Sequence, residues 1–174
     1  MTVFYGCNYM RVISSALLIL IMSFATVCSI GQVNDQKIRQ QVLKKSIKDS
    51  LFVFGKWTKH GGSETHLKYL GQVTTRKGRR FKVVISNWFW GLSHRATSRI
   101  LIFNQKNQYI GEYYMTMTYD LPTKLENGNL IFKNTDDDCD KELIAVVNLK
   151  SGLPKHFFKK CKGEFGNIYS FGSD

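Results

Sequence analysis

Arg99-Ile-Leu-Ile-Phe103, the polar link Asn104-Gln-Lys-Asn-Gln108, and Tyr109-Ile-Gly-Glu-Tyr-Tyr-Met-Thr-Met-Thr-Tyr119 decide the reading of this chain. In the second run Tyr109, Gly111, Tyr113, Met115, Met117 and Tyr119 share one side. Ile110, Glu112, Tyr114, Thr116, Thr118 and Asp120 share the other. Alternation of this kind marks a strand with one apolar face. Two such runs across a short polar link predict a hairpin, the centre of a meandering sheet.

Upstream, the same alternation appears from Thr65. Thr65, Leu67, Tyr69, Gly71 and Val73 read as one face, His66, Lys68, Leu70 and Gln72 as the other. A basic turn, Thr74-Thr-Arg-Lys-Gly-Arg-Arg80, follows, with Gly78 free to take positive φ. Phe81, Val83 and Ile85 resume the apolar face and complete a second hairpin. Downstream, Leu121-Pro122 ends the strand, because Pro removes a ladder donor. Asn127-Gly128 is the strongest short-range hairpin signal in the chain. Leu143–Leu149 predicts a buried strand and His156–Lys162 a short one, before a glycine-rich tail.

Asn34–Leu51 predicts a helix. Asn34 or Asp35 can cap its first amides, and Ile38, Val42, Leu43, Ile47 and Leu51 form one stripe. An isolated helix this short is marginal in water, so the stripe needs a sheet to pack on. Leu51–Trp57 then opens the sheet, and Gly61-Gly62 marks a loop. The expected fold class is α+β. It has an N-terminal amphipathic helix, then an antiparallel β-meander of seven or eight strands, curved or barrel-like.

The first 31 residues read as an export signal. Arg11 precedes the apolar run Val12–Val27, and Cys28-Ser-Ile-Gly31 supplies small residues, with Ser29 at minus three. The apolar core is close to 16 residues, short of the roughly 20 that span a bilayer. The weighed alternatives are a retained anchor and a lipid-modified Cys28; Met10, just before Arg11, is a candidate start. Residues 32–174 then form a single exported domain, secreted or periplasmic, with no integral span after cleavage.

That domain holds all 13 acidic residues and 24 of the 25 Lys and Arg, a formal charge of +11. Such a charge attracts anionic partners: an anionic lipid or glycan surface, or an acidic protein. Export argues against an intracellular nucleic-acid role; extracellular nucleic acid is the lesser candidate, since no nucleic-acid motif accompanies the charge. Cys139 and Cys161 remain after cleavage, an even pair that predicts a disulfide in an oxidising compartment.

The chemistry-bearing residues are sparse. No Gly-x-Ser-x-Gly elbow occurs. His66 with Glu64, and His94, are the residues that general acid–base work by a small hydrolase would use. Asp136, Asp137, Asp138, Asp140 and Glu142 carry oxygen ligands but lack the calcium-loop spacing and its glycine. They read as a solvated loop, able to sit near the basic hairpin and relieve its repulsion. No cofactor is implied. Binding residues come from two basic segments and one aromatic patch. Arg76, Lys77, Arg79 and Arg80 crowd the first segment; Lys159 and Lys160, beside Phe157 and Phe158, crowd the second. Trp88, Phe89 and Trp90 must split between two faces. A cavity lined by Trp88, Tyr69, Tyr113 and Met115 would suit a small apolar ligand. The leading expectation is a non-catalytic binding or interaction domain. A secreted histidine–carboxylate hydrolase and a structural envelope component are the alternatives. The motifs carry no family resemblance.

Overall fold

Strands dominate the computed structural model, which describes residues 35–173. The expected signal segment lies outside the described residues. Among the described residues one α-helix, α1 (Asp35–Lys45), precedes ten strands. These are β1 (Leu51–Gly55), β2 (Glu64–Thr74), β3 (Arg80–Trp90), β4 (Arg95–Asn104) and β5 (Tyr109–Met115). Then come β6 (Lys124–Glu126), β7 (Asn129–Lys133), β8 (Ile144–Asn148), β9 (His156–Lys162) and β10 (Phe165–Gly172).

The strands form two antiparallel sheets. Seven lie in the order β1-β2-β3-β4-β5-β10-β9, and three in the order β6-β7-β8. The meander therefore runs for five strands; β10 then inserts between β5 and β9. The large sheet keeps two edges, so no barrel closes. The glycine-rich tail becomes β10 because β5 makes room at Gly111. A side chain there would strike the Phe171 ring and the Gly172 carbonyl.

Two bulges reset the expected faces. Tyr69 pairs Val84 while Gly71 pairs Val83, so Leu70 is an extra residue in β2. Ile102 pairs Gly111 while Phe103 pairs Tyr109, so Ile110 is extra in β5. Thr65, Leu67 and Tyr69 consequently lie on one face, with Gly71 and Val73 on the other. Tyr113 and Met115 share the second face, opposite Tyr69 and Trp88. That separation removes the expected cavity of Trp88, Tyr69, Tyr113 and Met115.

The face bearing Val73, Phe81, Val83, Ile100, Ile102, Tyr113 and Met115 is the main core face. Leu125, Leu130, Phe132 and Val147 of the small sheet pack on it, with Phe157 and Tyr169 of the β9–β10 hairpin. Asn127 and Gly128, both at positive φ, make the tight turn between β6 and β7 that their sequence predicts. Tyr113 is fully buried, and its hydroxyl donates to the Pro154 carbonyl at 2.8 Å. Burial pushes that phenol well above its ordinary range.

The opposite face buries Leu67, Tyr69, Val84, Leu101 and Phe103. Helix α1 buries Ile38, Val42 and Leu43, and its Gln40 side chain donates to the Asn107 carbonyl at 2.7 Å. The helix stops at Lys45, not Leu51, because Ser46 and Asp49 take left-handed φ values of 49° and 62°. Ile47 and Leu51, expected in the buried stripe, are exposed. β5 likewise ends at Met115; a short 3-10 turn at Thr118–Asp120 replaces the expected extension to Tyr119. Met117 and Tyr119 are exposed as a result.

Candidate functional site

The β2–β3 turn is built around Thr75. The Thr75 amide donates to the Arg79 carbonyl at 2.8 Å, and the Arg79 amide donates to the Thr75 hydroxyl at 3.0 Å. The Gly78 amide closes the turn onto the Thr75 carbonyl at 2.9 Å. Thr75 is thereby buried while Arg76, Lys77, Arg79 and Arg80 all face water. The Arg76 amide donates to the Lys150 carbonyl at 2.8 Å, which brings a fifth exposed cation to the same place. Phe81 pairs Asn104, so the β4–β5 turn with exposed Lys106 lies at this end too. Among the described residues none of these six cations forms an ion pair. Arg79 instead lies over the Phe81 ring, 5.3 Å from its centroid.

One sequence signal for this site goes unread when turns are taken one at a time. No Asp or Glu occurs from Thr65 to Gly111. That acid-free stretch spans most of β2, all of β3 and β4, and two turns at one end of the sheet.

Trp88 and Trp90 lie at the other end of β3. Ten residues separate Arg80 from Trp90, roughly 33 Å of strand. Both tryptophans share the helix-side face, and Phe89 takes the opposite one. Their rings stack at 5.5 Å, and Arg95 lies over Trp90 at 5.8 Å. The Trp90 indole N–H donates to the Thr97 hydroxyl at 3.2 Å. This is an ordered aromatic ladder, but it is remote from the basic turn and cannot serve one compact site with it.

The second basic segment divides by strand period. Lys159 points inward and is buried; its Nζ pairs with Asp120 Oδ1 at 2.9 Å, and both side chains are at most 5% exposed. The Met117 amide also donates to Asp120, at 3.2 Å. Lys159 therefore offers no charge to a partner, a correction to its expected role. Beside the pair, burial and the Asp120 carboxylate raise the Tyr169 phenol to about 12. Lys160 points outward and pairs with Glu164 at 3.1 Å.

The disulfide Cys139–Cys161 forms, as the even pair of cysteines predicts, at 2.04 Å. It pins the acidic loop to β9, where the Asp140 amide also donates to the Cys161 carbonyl at 2.8 Å. Asp136 lies against Tyr119 and raises its phenol by accepting a hydrogen bond from it. The loop is thus anchored beside the turn that follows β5, away from the β2–β3 turn. It does not neutralise the basic hairpin as expected.

Glu64, His66 and His94 do come together. His66 Nε2 contacts Glu64 Oε1 at 2.5 Å, and that hydrogen bond holds the Glu64 carboxyl below its ordinary value. His94 stacks on Phe89 at 4.8 Å and meets Trp57 at a tilt, 4.0 Å between ring centroids. Across the sheet, in register with His66 through Asn87, the Ser98 hydroxyl donates to Asn87 Oδ1 at 2.7 Å. A cavity of about 390 Å³ lies elsewhere, between α1 and the β4–β5 turn, with Phe103 and Tyr109 in its wall. Among the described residues no cluster of His, Cys, Asp and Glu could hold a metal ion, and no helix is long and apolar enough to cross a membrane. Comparison with family models, curated proteins and solved structures found no match to this chain.

Proposed function

We propose that the protein is an exported, non-catalytic binding domain that docks on an anionic surface through the end of the sheet bearing Arg76, Lys77, Arg79, Arg80, Lys106 and Lys150. One observation carries this reading: six exposed cations from three turns meet without a paired carboxylate among the described residues. Unpaired like charges held this close repel one another, and a polyanion relieves that cost. The rigid Thr75-centred turn keeps them in place before a partner arrives, so little ordering entropy is lost on docking. Salt screens such attraction over about 10 Å at 0.1 M. The disulfide fits an oxidising compartment, which agrees with export and with a secreted or periplasmic setting. Lys159 and Lys160 leave the proposed surface, and Trp88 and Trp90 sit outside it.

The test is binding of the exported chain to a sulfated polysaccharide and to vesicles containing anionic lipid, across a salt series. The reading expects salt-sensitive binding that the Arg76→Glu, Arg79→Glu, Arg80→Glu triple variant abolishes. Binding that is indifferent to salt and to the triple variant rejects it. Capture of an acidic protein with no affinity for either probe moves the partner class from surface to protein.

A further inference from the structure

The two edges of the seven-stranded sheet are finished differently. At the C-terminal end of β9 two carbonyls are occupied. Asn134 Nδ2 donates to Lys160 and Cys161 at 3.1 and 3.3 Å, the Asp140 amide bonds Cys161, and the disulfide clamps the covering loop. That end of the edge is capped against further pairing.

β1 has none of these devices. Its sequence is Leu51-Phe-Val-Phe-Gly55, with no charge and no proline. It pairs with β2 along one side, and among the described residues no strand pairs along the other. Leu51 and Val53 are 59% and 50% exposed, while Phe52 and Phe54 are half-buried on the helix-side face. An uncharged apolar edge left open in this way is a template for another strand.

We infer that β1 pairs antiparallel with β1 of a second copy of this chain, about a two-fold axis at Val53. The segment is self-complementary in that register. Phe52 meets the partner's Phe54 on one face, a favourable cross-strand aromatic pair. Leu51 meets the partner's Gly55 on the other face, where the missing side chain leaves room. Beyond the strand ends, Ser50 comes opposite the partner's Lys56, and the symmetry repeats that contact. The contact is isologous and joins two seven-stranded sheets into one. Five residues make a short ladder, so the dimer is weak and concentration-dependent. This inference stands apart from the anionic docking surface, since the two use different residues.

Sedimentation of the exported chain, over a concentration series reaching millimolar, reads the assembly directly. A reversible dimer is expected. Val53→Lys sets two like charges at the axis and should weaken it tenfold or more, while Val146→Lys, at a comparably exposed position on β8, should not. Val53→Cys, which keeps the site small and uncharged, should oxidise to a covalent dimer, and it decides the matter if Val53→Lys misfolds. A strict monomer overturns the inference. So does a dimer that survives Val53→Lys but fails with Val146→Lys, or one that Val53→Cys never crosslinks. A monomer whose β1 amides gain protection only from an added extended peptide overturns self-pairing in favour of a foreign strand.

Discussion

In the β2–β3 turn, four cations stand in water without a carboxylate partner among the described residues, on a turn held by a buried threonine hydroxyl. On β9, two adjacent lysines of similar sequence setting have separate fates: Lys159 is sealed against Asp120, and Lys160 reaches an exposed glutamate. The physical difference is the backbone beneath them. A turn projects every long side chain outward. A strand with one face on a core sends alternate side chains inward, whatever their charge. An inward lysine survives only with a partner, because an unpaired buried ammonium costs several kcal/mol. The same residue type thus serves as surface charge in one region and as an internal strut in the other.

Breaking the strut should have the largest effect. Lys159→Ala leaves the Asp120 carboxylate buried without its ion pair, and about 3–5 kcal/mol of stability should be lost in denaturant unfolding. Replacing both partners, Asp120→Leu with Lys159→Met, should recover most of that loss, since a buried pair contributes little net stability over an apolar filling. If the double variant is as unstable as the single, the pair does more than satisfy itself. Next in size is the disulfide. Cys139→Ser with Cys161→Ser opens a closure between residues 22 apart, and about 3 kcal/mol should be lost. Affinity for anionic probes should stay unchanged, because the loop it pins is not at the basic turn.

The turn should behave in the opposite way. Single Arg76, Lys77, Arg79 or Arg80 to Ala changes should each shift stability by no more than about 0.5 kcal/mol. Their combined reversal to Glu should remove binding, read by the same salt series. A stability loss near that of Lys159→Ala would show that these side chains hold the fold. The smallest effect concerns Glu64, a residue outside both segments. Its carboxyl lies below 4.5 in the folded chain because His66 hydrogen-bonds it. Its contribution is therefore present above about pH 4.5 and is lost as pH falls through the lowered value. In His66→Ala, a carbon-detected titration should find Glu64 back near its ordinary value, with little change in unfolding.

Much of the architecture is legible in the residues. The hairpin around Asn104–Gln108, the Asn127-Gly128 turn, the antiparallel pattern from Thr65 and the Cys139–Cys161 bridge all follow from local pattern. The bulges at Leu70 and Ile110 do not, because an extra residue looks like any other member of an alternating run. Each one flips the faces beyond it, which is why Tyr109 leaves the side shared by Tyr113. β10 is hidden by its glycines, whose use appears only where Gly111 meets Phe171. At the candidate site, the basic turn is plain in the string. The burial of Lys159 is not, since its partner lies 39 residues away. The remoteness of Trp88 and Trp90 from the arginines follows from strand length once β3 is placed.

The proposed docking surface is the end of the sheet that carries the six exposed cations. Its most direct test is the affinity of the wild-type chain and of the Arg76→Glu, Arg79→Glu, Arg80→Glu variant for one sulfated polysaccharide, measured at rising salt. The account predicts wild-type affinity that falls steeply with salt and a folded variant with none to lose. Equal affinities with equal salt slopes for the two proteins would contradict it.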